Sequence, residues 1–186
     1  MGDTIKLGII LLIITSIAAV ILGFSNSITA DKIVEAEAMV SEEARREVLT
    51  ADKFEKADVQ LDDERIHDVY KGLSDSGEIM GYAITTATSG YGGNVEIITG
   101  ISVEGKITGI KVVKHQETPG LGANAQNQEF RDRFKDKSTE KELVIVKSAP
   151  KNPDEVQAIT GATITSNAVK SGVNLAIELF NTKLAK

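Results

Sequence analysis

The run Leu7–Phe24, LGIILLIITSIAAVILGF, is 18 residues without a charge, and its only polar side chains are Thr15 and Ser16. As a helix it would extend about 27 Å, close to the hydrocarbon thickness of a bilayer, so the segment qualifies as a membrane span. The two hydroxyls can bond to carbonyls one turn back, which makes them inexpensive in lipid. A cleaved signal peptide is the alternative. Its apolar core is usually shorter, roughly 7–15 residues, and ends in a small-x-small site, for which SNSITADK is a poor match. Residues 1–30 are therefore expected to be a transmembrane anchor in the lipid bilayer. Lys6 precedes the span against Asp3, while Asp31, Lys32, Glu35 and Glu37 follow it. The positive-inside rule then favours a cytoplasmic N-terminus and an extracytoplasmic main domain at the cell membrane.

The rest of the chain restricts the chemistry. The net charge is −6, so the basic footprint of a nucleic-acid binder is missing. There is no Cys, which rules out disulfides, thiolate-held clusters and a thiol nucleophile. The only histidines, His67 and His115, stand far apart in sequence, a poor basis for a metal site. Redox work by this chain would need an organic cofactor. Without Trp, a bound ring has only five Phe and three Tyr for stacking.

Residues 31–60 are expected to form a stalk helix, with the helical pattern running from Ala30 to about Ala57 and Asp31 as N-cap. Residues 61–186 then form the main domain. Ile79–Thr88, Val95–Val103, Ile107–Lys114 and Leu143–Val146 carry strand patterns, and Glu104-Gly105-Lys106 suits a hairpin turn. From Gln126 to about Lys135 the pattern is helical, with Phe130 and Phe134 on one face. A last helix is expected from a Ser166 cap to the C-terminus. Val169, Val173, Ala176, Ile177, Phe180 and Leu184 form its apolar stripe, and Lys183 and Lys186 lie at its end. The fold class expected is α+β, an antiparallel meander packed by helices.

Three loops contain glycine: Ser89-Gly90-Tyr91-Gly92-Gly93, then His115-Gln116-Glu117-Thr118-Pro119-Gly120-Leu121-Gly122, then Thr160-Gly161-Ala162-Thr163-Ile164-Thr165-Ser166. Each also has an ordinary reading: a strand connection, a proline–glycine turn, and a helix start rich in capping hydroxyls. The third has the most chemical content. A helix N-terminus with small residues before it is a phosphate site, and Thr160, Thr163, Thr165 and Ser166 add hydroxyls. The loop lacks the GK[ST] ending of a nucleotide-triphosphate loop. His115 and Glu117 are two residues apart, a weak basis for an independent hydrolase.

TGATITS resembles the [ST]-G-A-T flavinylation motif of FMN-binding domains. These occur in the G subunit of the Rnf ion-translocating electron transport complex and in the C subunit of the Na⁺-translocating NADH:quinone reductase. HQETPGLG resembles a second hallmark of the family. The order SGYGG, hairpin, ETPGLG, strand, TGAT is also the family's, over roughly Gly81 to Ala185. The short chain and compact domain favour the Rnf component.

The resemblance implies an electron-transfer subunit without independent catalysis. It implies FMN held by a phosphoester to Thr163, installed from FAD by a flavin transferase, and other membrane subunits as partners. Tyr91, Gly92, Glu117, Thr118, Leu121, Gly122, Thr160, Gly161, Ala162, Thr165 and Ser166 are the expected cofactor contacts. Among them, Leu121 and Tyr91 would touch the ring, Glu117 and Thr118 the ring edge or ribityl chain, and Thr165 and Ser166 the phosphate, with Ile164 turned into the core. One departure stands out: Gln157 occupies the place, a few residues before the motif, where relatives often carry Asp. Asp154 and Glu155 lie slightly earlier.

Overall fold

The computed structural model describes residues 2–185. Helix α1 runs Gly2–Val48, and the chain divides into two compact units, 1–40 and 41–186. In the first unit the large apolar side chains are exposed, Leu7, Leu12 and Phe24 among them. An 18-residue window of α1 has mean hydropathy 2.8, and the helix fits a single-pass membrane anchor. Thr15 Oγ1 donates to the carbonyls of Leu11 at 2.9 Å and Leu12 at 3.1 Å, which is how a hydroxyl is satisfied without water.

The second unit is α+β. Strands β1 (Lys53–Lys56), β2 (Ile66–Leu73), β3 (Ile79–Ser89), β4 (Asn94–Ser102) and β5 (Ile107–Lys114) form one antiparallel sheet in sequence order. A separate parallel pair joins β6 (Val144–Val146) to β7 (Glu155–Gln157). The β4–β5 turn closes as expected, with the Ser102 N–H donating to the Lys106 carbonyl at 2.9 Å. Between the sheet and β6, residues 122–134 form two 3₁₀ turns flanking a short helix α2 (Gln128–Arg131). The Phe130 and Phe134 rings are buried there, edge to face at 5.4 Å.

Both faces of the sheet are covered, so the inner strands read as continuous apolar and threonine runs and not as a strict alternation. On one face Ile84, Val95, Ile97 and Ile101 pack against Val169, Val173, Ala176 and Phe180 of the C-terminal segment. There α3 (Thr163–Leu179) continues into one π turn, Phe180–Leu184. Lys186, expected at this end, lies outside the described residues. On the other face Ala44, Val48 and Leu49 pack on Ala83 and Ile98. This contact needs Gly100: a Cβ there would lie 2.3 Å from the Val48 carbonyl oxygen, which instead accepts a hydrogen bond from Thr108 Oγ1.

These contacts correct the stalk. The helix ends at Val48, not near Ala57, and Lys53–Lys56 is an edge strand within the segment 31–60 expected to be helical. The last turns of α1 serve as the sheet's cover because burying Val48 and Leu49 contributes roughly 1.5–3 kcal/mol each.

Candidate functional site

The three glycine loops meet around a cleft of about 590 Å³, within the range of small-molecule sites. It is lined by Tyr91, Glu117, Thr118, Leu121 and Gly122 and by residues 161–165. Leu121, Ile164 and Tyr91 give it apolar walls, and all three are exposed.

Glu117 organises the cleft. It follows β5 and is 6% exposed. Its Oε1 accepts the N–H groups of Tyr91 at 2.8 Å and Gly92 at 3.0 Å, and its Oε2 accepts the Thr165 hydroxyl at 2.5 Å. One buried carboxylate thus joins all three loops. Gly122 is required beside it: a Cβ there would lie 2.3 Å from Glu117 Oε2 and 2.6 Å from Thr165 Oγ1.

Burial pushes the Glu117 carboxyl pKa up. The hydrogen bonds from Thr165, Gly92 and Tyr91, with His115 adding to them, outweigh burial and hold it below its ordinary value. A depressed folded-state pKa gives stability that is present above the unfolded value, about 4.3, and is lost as pH falls through the folded value. We expect the wild type to melt above Glu117→Gln at neutral pH, with the gap closing below about pH 4. Melting curves across that range test this; a gap that widens in acid would contradict it.

Helix α3 begins at Thr163, with Ala162 at the N-cap and no side-chain capping bond. The cap lies four residues earlier than the expected Ser166, and this changes several assignments. Thr165 and Ser166 lie within the first turns, 1% and 0% exposed, and point inward. Thr165 donates to Glu117. Ser166 Oγ accepts the Ile159 N–H and donates to the Ala162 carbonyl, both at 2.9 Å. Both hydroxyls are committed to protein partners; Thr165 lines the cleft and Ser166 does not. Ile164, expected in the core, is 55% exposed and forms part of the cleft wall.

Glu117 faces the loop junction, and its bonds go to protein groups, in contrast to the contact with the ring edge or ribityl chain expected from the sequence. Gly92 serves through its N–H to Glu117 and lies outside the cleft lining, while Gly161, Ala162, Thr118, Leu121, Gly122 and Tyr91 lie in it. Thr160 is exposed and borders a different hollow with Asn124, Asn127, Arg133 and Gln157. There Arg133 Nη1 donates to the Gln157 carbonyl at 2.9 Å. Thr163 is half-buried on the cleft wall. Among the described residues, none takes its hydroxyl as a hydrogen-bond partner.

This donor set fits a phosphorylated flavin. The first-turn N–H groups of an α-helix have no intrahelical acceptor, and an Ala cap supplies none. Substituting a capping side chain by Ala typically costs about 1 kcal/mol, so an uncapped start beside a cleft is suited to an anionic ligand. The apolar walls suit an aromatic ring, and Thr163 supplies an unengaged hydroxyl.

Comparison with known proteins agrees with this arrangement. Residues 90–178 match the family model for the FMN-binding domain. The chain is 44% identical, over 94% of its length and 90% of the relative's, to the G subunit of the Na⁺-translocating ferredoxin:NAD⁺ oxidoreductase complex of Acetobacterium woodii. It is 34% identical, over 89% of its length and 85% of the relative's, to the G subunit of the proton-translocating ferredoxin:NAD⁺ oxidoreductase complex of Clostridium ljungdahlii. Among solved structures, the C subunit of the Na⁺-translocating NADH-quinone reductase of Parabacteroides distasonis shares the fold with TM-score 0.60 at 21% identity. That likeness covers 78% of this chain and 82% of the other. The family match and the two relatives settle the affiliation: the chain belongs to the FMN-binding domain family, alongside the G subunits of ion-translocating oxidoreductase complexes.

Proposed function

We propose that this chain is the membrane-anchored, electron-carrying G subunit of an ion-translocating ferredoxin:NAD⁺ oxidoreductase complex, with FMN esterified to Thr163. The observation that carries the reading is the Thr163 hydroxyl, unengaged at the uncapped start of α3, on the wall of a cleft bounded by Leu121, Ile164 and Tyr91. A bound flavin supplies one- and two-electron exchange. The chain holds and orients it. The N–H groups at the start of α3 would meet the phosphate charge, and Leu121, Ile164 and Tyr91 would supply apolar contact to the ring. Attachment from FAD would exchange the Thr163 O–H bond and the FAD pyrophosphate bond for an Oγ1–P bond, releasing AMP and a proton. That step belongs to a flavin transferase. The other lasting partners are the membrane subunits of the complex and the lipid bilayer.

The intact mass of protein from its native host tests the reading. We expect a gain equal to FMN minus water; an unmodified mass would sink it. Orientation is tested separately. With the domain outside the cytoplasm, a reporter active only in the cytoplasm and fused after Lys186 should be silent. A strong signal would reverse the topology.

A further inference from the structure

Glu117 is a nearly sealed charge, and every group that bonds it is neutral: two backbone amides and one hydroxyl. No lysine or arginine pairs with it among the described residues. A buried carboxylate is normally neutralised by a cation or by a proton. Here three donors, with a smaller contribution from nearby His115, keep it ionised, and no fixed cation is bonded to it. The two glycines around it reinforce the fit, because a Cβ at Gly90 or Gly122 would lie 2.3 Å from one of its oxygens. Close packing on both sides fixes where the charge sits, and Glu117 itself lines the cleft.

We propose that Glu117 is the positioning residue of the cofactor cleft: its carboxylate locks the 89–93 loop, the 115–122 loop and the first turn of α3 into one wall, and its fixed negative charge lowers the reduction potential of the flavin held there. The second half rests on the flavin reading above; the first does not. An electron added to the ring meets the field of an anion that water and salt screen only weakly, so the oxidised form is favoured. The lock supplies the geometry. Tyr91, 72% exposed, is held through its backbone N–H, and Thr165 fixes the helix turn that presents Thr163.

Glu117→Gln separates the two halves. The amide oxygen still accepts the Tyr91 and Gly92 N–H groups, and the amide nitrogen donates to Thr165 Oγ1, which turns from donor to acceptor. Shape is kept and charge is removed. Glu117→Ala removes both. In flavin-free full-length protein in micelles, amide hydrogen exchange at Tyr91 and Gly92 should rise about tenfold or more in Glu117→Ala and distinctly less in Glu117→Gln, whose neutral amide oxygen still accepts both N–H groups. Should Glu117→Ala not fold, Thr165→Val takes its place, with several-fold faster exchange at both amides.

In protein flavinylated by co-expressed transferase, redox titration of the flavin-bearing fraction should give Glu117→Gln a more positive midpoint potential, with the flavin fluorescence anisotropy of the wild type. Unchanged exchange in Glu117→Ala or Thr165→Val overturns the lock, and an unchanged potential in Glu117→Gln overturns the charge effect. If the wild type takes up no flavin, the flavin reading and the charge effect fall together, while the exchange measurement still decides the lock.

Discussion

Thr163→Ala should abolish covalent flavin altogether, and Thr163→Ser should retain it, because Ser offers the same nucleophilic hydroxyl. Several other hydroxyls lie near, and the geometry of each speaks against it as the proposed acceptor. Thr165 is 1% exposed with its hydroxyl given to Glu117, and Ser166 is sealed with both its bonds made inside the protein. Thr160 opens onto a different hollow. Thr118 reaches the cleft, but from the 115–122 loop, where no α-helix start meets the incoming phosphate charge. Thr163 alone combines cleft exposure with the first turn of α3, where an anion is favoured by roughly 0.3–1 kcal/mol or more. Co-expression with a flavin transferase, ultraviolet imaging of a denaturing gel and peptide mapping make the test. A flavin-bearing peptide from Thr163→Ala would end the assignment. Thr165→Ala should keep the label, and loss of label in that variant alone would move the site.

The largest structural effect is expected at Gly122. A valine there must place its Cβ against a carboxylate oxygen at 2.3 Å and a hydroxyl at 2.6 Å, and moving either group aside breaks the Thr165–Glu117 hydrogen bond that joins two of the loops. Overpacking a closed site costs about 1–3 kcal/mol, and breaking a hydrogen bond to a buried charge adds a similar amount. We expect Gly122→Val to lose about 3 kcal/mol or more, a fall in Tm of roughly 10 °C for a domain of this size. Its flavin, once attached, should be held loosely, with altered absorption. Thermal melts and visible spectra of the variant check both; a Tm within about 2 °C of wild type would mean that the Glu117–Thr165 pair gives way freely.

Much of this is legible from residue order. Strands β3 to β5 follow their β-branched runs and the Glu104-Gly105-Lys106 turn to within a residue or two. β1 and β2 leave little trace because KFEK, at the sheet edge, and IHDVYKGL, next to it, carry charges that thin the apolar signal. The start of α3 is obscured because four hydroxyls resemble caps. The phase of the helix holds the correct answer: four residues before Val169 comes Thr165, not Ile164, so the core stripe runs through Thr165 and leaves Ile164 facing the cleft. The role of Glu117 has no local signal at all. It arises only when loops 26 and 48 residues distant in sequence close around one side chain.

The seat of Val48 on the sheet has a practical corollary for anyone preparing a soluble fragment. The hydrophobic run ends at Phe24, and a cut just ahead of residue 61 looks natural from the sequence. Such a cut would discard Ala44, Val48 and Leu49 along with β1. It would strip Ala83 and Ile98 of their cover and leave β2 as a bare edge ready to recruit a neighbouring chain. The expression boundary belongs upstream of Ser41.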